Sequence, residues 1–168
     1  MNAVRPLVAV YPGSFDPITR GHEDIARRCL RIADEVIVAV AHTATQKKSA
    51  LFGVHERVSM IETVFADEPR IRCASFEGLL VDYCRDAGAH LVIRGLRAVS
   101  DFEYEFQMAQ MNQELWSELE TVFLTPDVNY SFLSASLVRE VARLGGDVSA
   151  FVSPSVLNKL DVAFGNRG

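Results

Sequence analysis

The sequence predicts an α/β protein built on a doubly wound, five-stranded parallel sheet. Three observations predict it. Short runs rich in Val, Ile and Ala alternate along the chain with segments of helical periodicity. Several of those runs are apolar at nearly every position, as strands covered on both faces must be. The chain has 168 residues and is 49% hydrophobic, which suits a single domain over residues 1–168 with a full core.

The elements follow in order. Leu7–Tyr11 (LVAVY) reads as the first strand. Ile25, Cys29 and Ile32 then share one helical face at i, i+4, i+7. Glu35–Ala41 (EVIVAVA) is the second strand, and Val54, Val58, Ile61 and Phe65 mark the next helix. Ile71–Phe76 is the third strand, followed by a short helix through Tyr83 and Ala87 that stops at Gly88. His90–Arg94 is the fourth strand and Phe102 to Leu115 the fourth helix. Thr121–Thr125 is the fifth strand, and Leu137 to Leu144 a helix closed by Gly145-Gly146. Pro154 sits at a helix start, which predicts a short C-terminal helix. No internal repeat, low-complexity segment or linker is visible.

Charge and composition exclude several classes. Net charge is −5 and the Lys and Arg residues are scattered, which argues against a nucleic-acid partner held on a basic face. No run reaches transmembrane length, and the early apolar run is too short for a signal sequence. A cytoplasmic protein without a membrane partner is expected. Cys29, Cys73 and Cys84 form no C-x-x-C pair and sit in apolar patterns, so they read as small buried hydrophobes.

In doubly wound sheets ligands bind beyond the carboxyl ends of the strands. The loop after strand one is YPGSFDPITRGH, Tyr11 to His22. Gly13 permits close backbone approach, Ser14 offers a hydroxyl, and His22 stands at the mouth of a helix whose first amides carry positive partial charge. That combination suits a phosphate. Neither G-x-G-x-x-G nor G-x-x-x-x-G-K-[ST] is present, so the usual dinucleotide loop and the P-loop are excluded. The loop after strand two carries Gln46-Lys47-Lys48, readable as solvated lysines or as cations at the same sheet edge. After strand four comes IRGLRAVSDFEYE. Arg94 at a strand end is costly unless paired. Asp101 and Glu105 share a helix face, and salt bridges to Arg94 or Arg97 compete with ligand binding as their role. Ser131, Ser134 and Ser136 crowd another helix start, where one acts as a cap and the set could hold an anion. Phe102, Phe106, Met108 and Met111 read as core or as a subunit contact.

Thr19–His22 (T-x-G-H) resembles the signature of the nucleotidyltransferase superfamily. PGSFDPITRGH, the IRGLR run with DFEYE and NQE behind it, and YSFLSASLVREVARLGGDVS together resemble bacterial phosphopantetheine adenylyltransferase, from about Val8 through Phe151. The resemblance implies a Rossmann-like fold and a transfer of the adenylyl group of ATP to 4′-phosphopantetheine. The products are dephospho-coenzyme A and pyrophosphate, in the penultimate step of coenzyme A synthesis. It implies Mg²⁺ as cofactor and a homo-oligomer, a hexamer. It also implies that Ser14, His22, Lys48 and Arg94 are catalytic. Ser14, Phe15, His22, Gly95, Leu96, Arg97, Glu105 and the run Tyr130, Ser131, Phe132, Leu133, Ser134, Ala135, Ser136 would surround ATP. Ser14, Lys48, Leu80 and Arg94 would contact phosphopantetheine, and no protein residue would ligate metal directly. The chain departs from the family's pattern at Ala135, which interrupts the serine run, and at Tyr130, where some members carry tryptophan. Spacing to Phe52 selects Lys48, while counting forward from strand two selects Gln46. Another small-molecule nucleotidyltransferase, acting on nicotinate mononucleotide or glycerol phosphate, would share T-x-G-H. A non-catalytic nucleotide sensor would have no use for cations that position a nucleophile. The chain is too short for an aminoacyl-tRNA synthetase core with its anticodon-binding part.

Overall fold

In the computed structural model, residues 5–42, 50–97 and 99–165 are described. Five parallel strands lie in the order β3-β2-β1-β4-β5. They are β1 (Val8–Gly13), β2 (Glu35–Ala41), β3 (Ile71–Phe76), β4 (Leu91–Gly95) and β5 (Glu120–Leu124). The helices are α1 (Arg20–Cys29), α2 (Val54–Val64), α3 (Leu80–Asp86), α4 (Val99–Leu115), α5 (Ala135–Arg143) and α6 (Pro154–Phe164). A 3₁₀ turn, Val128–Tyr130, precedes α5.

Strand alternation explains the continuous apolar runs. On β1, Ala9 and Tyr11 enter one core while Val8 and Val10 enter the other. On β2, Val36, Val38 and Val40 face the first core and Ile37 and Ala39 the second. Both faces are therefore buried, and neither can afford a polar residue. The first core also takes residues from α1, α2, α5 and α6, and the second takes Val81 and Cys84 of α3.

The strand order reverses between β1 and β4, and the ladder there is short. β1 pairs with β2 through Gly13, but with β4 only at Ala9 and Val10. Pro12 has no N–H to offer a neighbour, and its carbonyl accepts from the Arg94 side chain instead, at 2.9 Å. The strands part at this point, and the crevice they leave is where a ligand of such a sheet binds.

The expected elements hold, with small shifts of boundary. β2 and β3 have the expected bounds, the other strands differ by a residue or two, and α4 begins three residues earlier than expected. Ile32 is a correction: α1 ends at Cys29, three-residue turns tighten the chain beyond it, and Ile32 is exposed. Phe102, Phe106, Met108 and Met111 are also exposed, so they belong to no core within this chain. Cys29 and Cys84 are fully buried and Cys73 half-buried, all as free thiols.

Candidate active site

Two cavities open at the crevice between β1 and β4. The first, about 310 Å³, is bounded by the loop after β1, the starts of α1 and α5, and the end of β4. The second, about 360 Å³, lies between β1, β4, α3 and α4. They share Pro12, Gly13, Ser14, Arg94 and Glu105.

His22 is the third residue of α1, and its ring completes a capping box with Thr19. The place usually held by Glu or Gln is held by an imidazole. Its Nδ1 accepts from the Thr19 backbone N–H at 3.1 Å, and the Thr19 hydroxyl lies 3.1 Å from the same nitrogen. An imidazole that accepts at Nδ1 and is neutral carries its proton on Nε2. Burial, and then the nearby Arg97 cation, pull the His22 pKa down to about 4. At pH 7 the ring is therefore a neutral donor through Nε2 on the wall of the first cavity. Phe15 holds the ring edge-on, with centroids 5.1 Å apart, and Tyr11 holds Phe15 in turn. Phe15 itself is buried, with a positive φ of 46°. A Cβ on Gly13 would stand 3.0 Å from the Phe15 ring, so glycine lets the loop close over that ring.

Arg94 leaves β4 into the space shared by the two cavities. Its Nε and Nη2 donate to the two carboxylate oxygens of Glu105, at 2.7 and 2.5 Å. Its Nη1 donates to the Pro12 carbonyl. Three of the five guanidinium N–H groups are thus engaged, leaving two for a ligand. The cost of a half-buried cation is met by a bidentate partner. Arg97 donates to the Leu133 carbonyl at 3.1 Å and lies 3.8 Å from Asp101. Both competing salt-bridge expectations for Asp101 and Glu105 are therefore realised, while both residues still line the first cavity.

On the opposite wall, Ser134 caps α5 by accepting from Leu137 N–H at 3.1 Å. Ser136 and Ala135 line the cavity in the first turn of that helix, where backbone amides have no intrahelical partner. Tyr130, Leu133 and Pro126 add an apolar wall. Ser131 points back to the Val128 carbonyl, and exposed Phe132 packs edge-on against Phe151.

Of the expected ATP set, Ser14, Phe15, His22, Gly95, Arg97, Glu105, Tyr130, Leu133, Ser134, Ala135 and Ser136 line the first cavity. Leu96, Ser131 and Phe132 do not line it, and the Leu96 amide instead extends the β4–β5 ladder to Leu124. Of the expected phosphopantetheine set, Ser14, Leu80 and Arg94 line the second cavity. Lys48, with Gln46 and Lys47, lies outside the described residues. Sequence reasoning missed Tyr11, Thr19 and Pro126 at the first cavity, and Tyr104 and Asn112 at the second. Thr19 could have been found as the cap of the T-x-G-H pattern.

Comparison with known proteins decides the family. A cytidylyltransferase-like family model matches residues 10–141. Phosphopantetheine adenylyltransferase of Thiobacillus denitrificans is 54% identical over 154 residues, covering 92% of this chain and 95% of that protein. The enzyme of the same name from Azoarcus sp. is 54% identical over 157 residues, covering 94% and 95%. This chain belongs to the phosphopantetheine adenylyltransferase family. A Vibrio parahaemolyticus structure, named as a candidate nicotinate-nucleotide adenylyltransferase, superposes with a TM-score of 0.69 at 14% identity, covering 98% of each chain. At that identity the likeness speaks for the nucleotidyltransferase fold alone. The family's name and the two joined cavities agree in one respect: the reaction needs a nucleotide and a second phosphorylated substrate side by side.

Proposed function

We propose that this chain is a phosphopantetheine adenylyltransferase, which transfers the adenylyl group of ATP to 4′-phosphopantetheine and releases pyrophosphate. The observation that carries the reading is the pair of cavities meeting at Ser14 and Arg94. The first offers helix-start amides and two arginines, which suit a triphosphate. The second is walled by Leu80, Val92, Phe76, Tyr104 and Met108 with Asn112 at 8% exposure, which suits a thin arm with a few amide groups.

In the transfer, an oxygen of the 4′-phosphate forms a bond to the α-phosphorus of ATP. The bond from that phosphorus to the bridging oxygen breaks, and its electron pair leaves with pyrophosphate. The nucleophile is already an anion, so no protein nucleophile is required. The protein's task is to bring two anions together and to meet charge that grows on the α-phosphate oxygens. His22 Nε2–H is our candidate for that donor. Its neutral form suits the role, because a fixed donor needs no proton exchange with solvent. Arg94, with two spare N–H groups, and Lys48 are our candidates for positioning the 4′-phosphate, and Ser14 stands between the two substrates.

Mg²⁺ belongs to the proposal as an ion carried on the phosphates. Among the described residues no group of three His, Cys, Asp or Glu is placed to hold a metal. The carboxylates of the first cavity, Asp101 and Glu105, face arginines. The ion would neutralise charge on the departing pyrophosphate. A cytoplasmic placement is also part of the proposal, and free thiols at Cys29, Cys73 and Cys84 accord with a reducing compartment. No helix of the described residues is long and apolar enough to cross a membrane.

Pyrophosphate release tests the substrate. ATP is supplied with 4′-phosphopantetheine, with pantetheine lacking the phosphate, or with nicotinate mononucleotide. Release only with the first supports the proposal. Release with nicotinate mononucleotide alone would move the chain to another branch of the superfamily, and ATP binding without release would make it a sensor.

A further inference from the structure

Ser14 and Asp16 are held by groups that line neither of the two joined cavities. Arg57 of α2 is 3% exposed, and its Nη1 donates to the Ser14 carbonyl at 2.7 Å. Its Nε is buried without a partner among the described residues. Asp16 is 4% exposed and accepts the backbone N–H groups of Leu51 and Phe52, at 2.8 and 2.9 Å. Arg139 of α5 donates to the Asp16 carbonyl and lies 3.5 Å from its carboxylate. Two arginines from different helices and two amides from the segment just before α2 thus converge on two residues of one loop.

A buried guanidinium with an orphan donor is expensive for the fold. Burial pushes the Arg57 pKa down, and the Asp16 carboxylate opposes that shift. An apolar side chain could fill the same volume at no such cost. What it could not do is hold the Ser14 carbonyl at a set distance and angle. The residue held is one of those both cavities share. It also follows Gly13, which has no side chain to fix the turn.

We propose that Arg57, through its bond to the Ser14 carbonyl, is a positioning residue for adenylyl transfer: it fixes the Ser14 backbone so that the serine hydroxyl stands between the two phosphates. This rests on the adenylyl-transfer reading of the site. Arg57 touches no substrate and acts through Ser14. Lysine at that place would keep the charge beside Asp16 but replace a planar fork with a single point donor.

The test is a kinetic double-mutant cycle on the full chain, with ATP and 4′-phosphopantetheine, using Arg57→Lys, Ser14→Ala and the double variant. Wild-type turnover measured alongside keeps the inference separate from the assignment: no pyrophosphate from the wild type means the reaction is wrong, whatever Arg57 does. Arg57→Lys should lower kcat by roughly 10–10²-fold, the scale of a misplacement of about 1 Å, with little change in KM for ATP. In the Ser14→Ala background the same Arg57→Lys change should cost less than about threefold, because the hydroxyl it positions is absent. Thermal unfolding of each variant reports the folded fraction, and kcat is normalised to it. An unchanged kcat for Arg57→Lys with only a lower Tm, or equal losses in both backgrounds, would make Arg57 a purely structural residue. If Arg57→Lys does not fold, Arg57→Met, which fills similar volume but cannot donate to the Ser14 carbonyl, takes its place in the cycle, with the same two outcomes.

Discussion

At the scale of single residues, His22 shows how one side chain serves fold and chemistry together. Its Nδ1 closes the cap of α1, and that bond leaves the Nε2 proton directed elsewhere. His22→Ala should keep the fold, because the Thr19 hydroxyl still accepts the backbone N–H of residue 22. Turnover should drop by about 10²–10³-fold, the usual cost of one donor aimed at transition-state charge. ATP affinity should change less, since the contact strengthens as charge develops. Steady-state kinetics with a binding titration checks both.

The depressed pKa of His22 gives a signed pH prediction. The folded value, about 4, lies below the ordinary 6.5. As pH falls from about 6.5, the unfolded chain takes up the proton first, so this contribution to stability is full above that pH and lost as pH falls through about 4. Bound triphosphate should raise the His22 pKa, since phosphate charge favours imidazolium. An NMR titration of the four histidines, with and without ATP, reads both effects.

Lys48 carries the second residue-scale prediction. Spacing to Phe52 selects Lys48, so Lys47 and Lys48 should not act alike. Lys48→Ala should raise KM for 4′-phosphopantetheine and lower kcat, with ATP binding near normal. Lys47→Ala should show only a small, salt-screened change. Phosphopantetheine-varied kinetics at saturating ATP separates the two variants.

At the scale of elements, the contact of β4 with α1 sets the floor of the first cavity. A Cβ on Gly95 would lie 2.5 Å from Ile25 Cδ1, and Ile25 is buried. Gly95→Ala should overpack that contact, costing about 1–3 kcal/mol and several degrees of Tm. Ile25→Val removes Cδ1 and should recover part of the loss in the double variant. Calorimetry on the three variants reads it.

This scale also shows what the sequence made legible. The strands of a doubly buried sheet announce themselves, because Val36 to Val40 have no solvent face on which to place a polar residue. The crevice was legible from strand order, and His22, Ser14 and Arg94 from their loops. Asp16 and Arg57 were not. In sequence they are a loop carboxylate and a helix arginine, and their partners lie 35 to 43 residues away. Only the packing of α2 on β2 and β3, beside the loop that leaves β1, brings them together. Leu96, Ser131 and Phe132 lie off the cavity wall. They share a motif with cavity residues, but strand pairing and local turns carry them off the wall.

At the scale of the whole molecule, α4 presents an apolar load to solvent. Phe102, Tyr104, Phe106, Met108, Met111 and Leu115 are each at least 39% exposed. Exposed apolar surface of that extent marks a contact. We propose that it is covered by further copies of this chain in a homo-oligomer, six by resemblance to the family. Sedimentation at micromolar concentration should show an assembly, and Met111→Glu should shift it toward smaller species. Sedimentation as monomer alone would count against the proposal.

We propose direct transfer between two bound anions, with no covalent adenylyl-protein intermediate. The stereochemical course at the α-phosphorus tests it most directly. ATP carrying one defined sulfur configuration at that centre is turned over with 4′-phosphopantetheine, and the configuration of the product is read by ³¹P NMR. A single in-line displacement predicts thio-substituted dephospho-coenzyme A with inverted configuration. Retention would require two displacements through a protein nucleophile and would contradict the account.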